Sequence, residues 1–213
     1  MIPQAQKQQM AEAVAHIRET MAAAARAAGR DPAQVKLCAA CKTRTVEEVI
    51  ASAALPIDLF GENHVQELVE KTDANAYCGK PGHFIGHLQT NKVKYIIDKV
   101  DLIHSLDRMG LAEEINKRAD NIDRDIRCLV QVNVSKEETK HGIYVEDLET
   151  FIRECADKFK RIKIVGLMTM APDSDDEDEV RAVFSKLKEV FEDIKDMSID
   201  CLLYTSPSPR DRS

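Results

Sequence analysis

Apolar residues recur along this chain in two alternating rhythms, one spaced by three and four and one in short continuous runs, the signatures of helix and of buried strand. Met10, Val14, Ile17, Met21, Ala24, Ala25 and Ala28 keep helical spacing and Gly29 follows as a stop, so residues 4–29 read as an amphipathic opening helix. The run 35–41 reads as a strand, after which Thr45 and Glu48 form a capping-box pattern ahead of Val49, Ile50 and Ala53. The same unit then repeats. Strands are predicted over 57–61, 83–85, 102–106, 128–134 and 163–168, followed in turn by helices over 65–71, 93–98, 111–119, 145–159 and 180–194. A seventh apolar run, 199–204, opens one more strand, which makes six βα units and a fragment.

Strict alternation of short strands with helices predicts an α/β fold with a parallel sheet, because parallel neighbours need a crossover connection. Two architectures compete, a TIM (β/α)8-type barrel and an open doubly wound sheet. Neither G-x-G-x-x-G nor G-x-x-x-x-G-K-[ST] occurs to support a nucleotide-binding open sheet. Lys42, Asn63, Gln89, Asp107, Asn133 and Thr169 each fall at or just beyond the C-terminal end of a predicted strand. Only a barrel brings all such ends to one mouth.

Composition narrows the function. Over 213 residues, 44% are hydrophobic and 31% charged, globular values, and no apolar stretch approaches the ~20 residues that span a bilayer. Thirty Lys and Arg against thirty-seven Asp and Glu give a net charge of −7, the wrong sign for a phosphate backbone, so neither nucleic acid nor a membrane is an expected partner. No leader pattern is visible at the start, and a cytoplasmic address is expected. Six scattered cysteines read as reduced thiols. The C-x-x-C of Cys38 and Cys41 falls in a predicted strand, where an offset of three sends the two sulfurs to opposite faces.

Four segments could carry chemistry. Lys42, flanked by small apolar residues at a strand end, is either a surface lysine opening a loop or a partly desolvated amine able to condense with an aldehyde. Asn63 either caps the following helix or bonds a ligand. The stretch 83–92 holds His83 and His87 four apart, but on a strand and turn rather than the helix a zinc pair prefers, so no metal is expected there. Asp173 to Glu179 places six carboxylates in seven residues, without the glycine or spacing of a calcium loop, and reads as a solvated run before a helix.

Five motifs in order, A-C-K-T at 40–43, F-G-E-N-H-V-Q-E at 60–67, H-F-I-G-H-L-Q-T-N-K at 83–92, K-H-G-I at 140–143 and G-L-M-T-M-A-P at 166–172, closely resemble the pyridoxal phosphate homeostasis protein family over about residues 10 to 202. The resemblance implies a barrel like that of alanine racemase, standing alone. It implies a chain that holds pyridoxal 5'-phosphate (PLP) as a lysine aldimine without catalytic turnover, works as a monomer, and supplies PLP-dependent apo-enzymes. By position it assigns Lys42 as the aldimine lysine and places Asn63, His83 and Met168 around the cofactor.

The pattern departs from the family at its end. The Ser-Met-Gly-Met-Ser and Val-Arg-x-Gly segments that serve the phosphate and the pyridine nitrogen in the family do not occur, and residues 203–213 form a polar string that looks unrelated to the rest. Residues 1–202 are thus expected to form a truncated barrel domain with a gap, and to bind PLP weakly. The competing readings are a PLP-dependent amino-acid racemase, which would need a second domain to supply an acid–base group, and a Schiff-base aldolase, which would not explain the motif series.

Overall fold

The helical periodicity at the start becomes α1 (Gln4–Ala27) in the computed structural model, which describes residues 2–137 and 141–195 of the chain. The chain divides into two compact units, Met1–His83 and Phe84–Ser213, the change falling inside a strand.

In the first unit α1 is followed by β1 (Cys38–Ala40), α2 (Val46–Ala53), β2 (Leu59–Glu62), α3 (Val65–Asp73) and the start of β3 (Gly82–Phe84). β1 and β2 run parallel with Cys38 opposite Leu59 and Ala40 opposite Gly61. The first strand is shorter than the apolar run predicts, and it is preceded by a 3-10 turn over Pro32–Gln34, capped by Asp31, that ends at Val35. α2 starts where the capping box predicts: Thr45 Oγ1 accepts from Glu48 N and the Glu48 carboxylate accepts from Thr45 N. Val49, Ala53, Ile57, Phe60 and Tyr77 form the core here, with the Phe60 and Tyr77 rings stacked at 5.4 Å. α1 buries only Ala25. It is fastened by Arg18, whose guanidinium meets Asp58 at 2.5 Å and donates to Pro56 O at 2.6 Å, while Asp58 also accepts from Leu37 N.

The second unit carries β4 (Leu102–Leu106), α4 (Met109–Asn121), β5 (Ile126–Asn133), β6 (Ile143–Tyr144), α5 (Leu148–Lys158), β7 (Ile162–Met168) and α6 (Glu177–Lys195). β5 is its spine, paired in parallel with β4, β6 and β7. Leu102, Leu129, Val165 and Met168 pack together across these strands. α4, α5 and α6 turn their apolar stripes inward, burying Leu111 and Ile115, Phe151 and Ile152, and Leu187 and Phe191 respectively.

Two expectations are corrected and one strand is added. The helix predicted over 93–98 is a 3-10 segment, Thr90–Tyr95, in which Ile96 N returns to Val93 O. A stretch so short, rich in β-branched and aromatic residues, does not sustain a regular α-helix and shows only isolated α-type bonds, Ile97 N to Val93 O at 3.2 Å and Val100 N to Ile96 O at 2.9 Å, yet Val93, Ile96 and Ile97 are buried. The helix predicted over 145–159 begins with a 3-10 turn, Val145–Asp147, and becomes α-helical only at Leu148. β6, only two residues long, has no periodicity of its own to read. The strand predicted over 199–204 and the polar string 203–213 lie outside the described residues.

Candidate functional site

The pairing of β1 with β2 fixes which side chains meet at their C-terminal ends. Ala40 lies opposite Gly61 and Cys41 N donates to Gly61 O at 2.8 Å, so Lys42 and Asn63 each stand two residues beyond a paired row on neighbouring strand ends. Lys42 is half-buried, and among the described residues its ammonium makes no hydrogen bond or ion pair. Asn63 Oδ1 is buried with no hydrogen-bond partner among the described residues. Leaving an amide oxygen so costs about 1–3 kcal/mol, which makes it an acceptor ready for an incoming donor.

A charged network adjoins this pair. Lys71 of α3 is 1% exposed, and its Nζ donates to Cys41 O at 2.7 Å and to Glu67 Oε2 at 2.9 Å while lying 2.9 Å from Glu62 Oε1. Glu67 Oε2 also accepts from Thr43 N at 3.0 Å, and Thr43 holds a left-handed φ of 65°. Burial pushes the Glu62 carboxyl up to about 7 against the opposing pull of Lys71. For Glu67, burial is outweighed by the hydrogen bond and charge of Lys71, and its carboxyl titrates below the ordinary range. Lys71 is raised because its two carboxylate partners outweigh burial. Burial, reinforced by Glu62, pushes the Cys41 thiol up to about 12 and keeps it unreactive.

The second unit gathers a different group beyond its strand ends. The His87 and His141 rings stack at 3.9 Å, His87 Nδ1 lies 3.6 Å from Asp107 Oδ2, and Asp107 Oδ1 accepts from Arg108 Nη1 at 2.5 Å. Arg108 also donates to Leu88 O at 2.7 Å. Burial, with His141, lowers the His87 pKa despite Asp107. The three potential donor residues resemble a metal set in type, their ligand atoms lying within 4.8 Å of one another. Their geometry does not: the rings are 19° from parallel, so an ion held at ~2.0–2.1 Å in the plane of one ring lies well out of the plane of the other.

Of the four residues placed around a cofactor by resemblance, the structure brings Lys42 and Asn63 to adjacent strand ends. His83 lies in the middle of β3, half-buried. Met168 closes β7 in the second unit, its buried side chain packed on Leu102, Leu129 and Val165. Gln89, expected at a strand end, lies five residues past β3, because the chain bends at Gly86 before the 3-10 segment begins. Sequence reading missed Lys71 and Glu62. The Glu67–Lys71 spacing of four was readable as a helix-surface pair, but nothing in the sequence distinguishes a lysine that turns inward from one that stays in water.

The model of the alanine racemase N-terminal domain matches residues 12–208. A pyridoxal phosphate homeostasis protein of Aquifex aeolicus is 40% identical over 186 residues, which cover 86% of this chain and 80% of that one. This chain belongs to the pyridoxal phosphate homeostasis protein family, within the alanine racemase N-terminal domain group. Its fold is α/β, of the TIM-barrel type. Among solved structures, an unknown protein from Bifidobacterium adolescentis aligns with a TM-score of 0.86 at 30% identity, covering 93% of this chain and 83% of that one. PipY of Synechococcus elongatus, solved with PLP bound, aligns with a TM-score of 0.73 at 25% identity over 89% of this chain and 87% of that one.

Proposed function

We propose that this chain binds pyridoxal 5'-phosphate and serves its homeostasis, holding the cofactor without turning over a substrate. The observation that supports the reading is that, at the ends of two neighbouring parallel strands, a half-buried lysine with no hydrogen-bond or ion-pair partner among the described residues stands beside an asparagine whose buried side-chain oxygen has no donor among them. PLP, when bound, supplies an aldehyde that condenses reversibly with a primary amine. Lys42 is the amine for that bond and Asn63 the acceptor beside it, with His83 of β3 as a further contact. Holding the aldehyde in this way keeps it from stray amines until an apo-enzyme that needs it takes it up. The chain acts in the cytoplasm, as a monomer.

Incubation with PLP, borohydride reduction and peptide mapping test this. Lys42 should take up the label ahead of the other lysines, with absorbance that disappears in Lys42→Ala, and the loaded protein should not interconvert L- and D-alanine. Even labelling across surface lysines, unchanged in Lys42→Ala, would overturn the assignment.

A further inference from the structure

Among the described residues Lys71 is the most deeply buried cation of the first unit, and what it grips lies on either side of Lys42. Its ammonium donates to the carbonyl of Cys41, the residue before Lys42, and to Glu67 Oε2, which in turn accepts from the amide of Thr43, the residue after it. Cys41 O also accepts from Arg44 N at 3.0 Å, closing the turn in which Lys42 sits, and Cys41 N is already engaged on β2. The backbone flanking Lys42 is thus fixed at three points, two of them through one ammonium and one carboxylate on α3.

Such a mount is expensive. Taking an ammonium out of water costs several kcal/mol, which good pairing only just recovers, and an apolar side chain would staple α3 to the sheet as well. Thr43 adds backbone strain, since a left-handed conformation in a β-branched residue persists only when its surroundings impose it. Strain and buried charge together, at the two neighbours of a single residue, mark a backbone whose position matters more than its stability.

We infer that Lys71 and Glu67, with Glu62 holding the far side of the ammonium, are positioning residues that orient Lys42 toward the aldehyde of PLP. This rests on the reading of Lys42 given above. The groups facing Lys71 are Glu62 at the end of β2, Glu67 on α3 and the carbonyl of Cys41, and Tyr77 closes over Glu62 at 3.4 Å. Removing the ammonium frees the Cys41 carbonyl and lets the Glu67 carboxylate swing away, so that Lys42 samples orientations that do not meet the aldehyde.

The experiment compares wild type, Lys71→Met, Lys71→Arg and Glu67→Ala by reductive trapping of PLP at a series of pH values. Label at Lys42 is quantified by mass spectrometry, and melting of each ligand-free protein is recorded in parallel. Lys71→Met should trap at Lys42 about tenfold more slowly, the scale expected when a reacting group is misplaced, and with a displaced pH profile. Lys71→Arg should recover most of the rate, and Glu67→Ala should lose a few-fold while remaining folded, which keeps the test decisive if Lys71→Met does not fold. Variants that melt earlier yet label Lys42 at the wild-type rate and with its pH profile would show a structural staple and overturn the inference. Absence of preferential Lys42 labelling in the wild type would instead reject the cofactor assignment itself, and the two failures are told apart by that control.

Discussion

A Cβ on Gly142 would lie 2.7 Å from Asn133 N and 2.9 Å from the carbonyl carbon of Val132, and the residue has a φ of 131° that side chains rarely adopt. The glycine of the K-H-G-I motif is there because the chain passes against β5 before pairing with it as β6. Gly142→Ala should therefore lower the unfolding free energy by about 1–3 kcal/mol, measured by denaturant titration. Glu62 makes a pH prediction. Its carboxyl is ordinarily half-titrated near 4.5, and burial in the folded state moves it to about 7. Between those values the folded chain keeps a proton that the unfolded chain has released. The stabilisation is complete below the lower value and is lost as pH rises through the upper one. Glu62→Gln lacks this dependence, so the gap in melting temperature between variant and wild type should shift in favour of the variant as pH is raised from about 4.5 to 7. The position of Lys42 and Asn63 just past neighbouring strand ends was legible because a strand end is visible in the sequence, whereas their assignment to a cofactor came from the motif resemblance. Lys71 was not legible, since the direction of its side chain is set by the two carboxylates and the carbonyl that await it, residues separated from it by up to a full βα unit.

Local signals and element boundaries agree where a cap specifies the start. At α2 the reciprocal bonds of Thr45 and Glu48 satisfy donors that the first turn would otherwise expose, and the Thr45 backbone hydrogen bond is the main reason the Glu48 carboxyl titrates below its usual range. Thr45→Ala should cost about 1 kcal/mol in thermal or chemical denaturation. The strand Leu102–Leu106 falls where the apolar run places it, and α4 and α6 reach beyond the predicted ranges by less than one turn at each end, in α6 through polar residues that extend a helix without adding to its stripe. The elements that were misread are short. A 3-10 segment and a two-residue strand are held by tertiary context, Val93 and Ile96 by full burial and Ile143 by pairing with Val132, and contacts of that kind leave no period.

For the molecule as a whole, binding that favours the folded state must raise its apparent stability by mass action. PLP at a hundredfold its dissociation constant should add about 2.7 kcal/mol, seen as a rise in melting temperature, and Lys42→Ala should remove most of that rise at the same PLP concentration. The alternation of strands and helices was readable throughout because each unit repeats one hydrophobic rhythm. What was not readable is how firmly each piece is attached. α1 runs for 24 residues with a single buried side chain, and much of its hold on the sheet passes through the guanidinium–carboxylate contact of Arg18 with Asp58. Concentrated electrolyte screens such a contact while leaving buried strand pairing intact. The amino-terminal rod is therefore the piece that brine would loosen first, and a protease added under those conditions would trim it before cutting the interior.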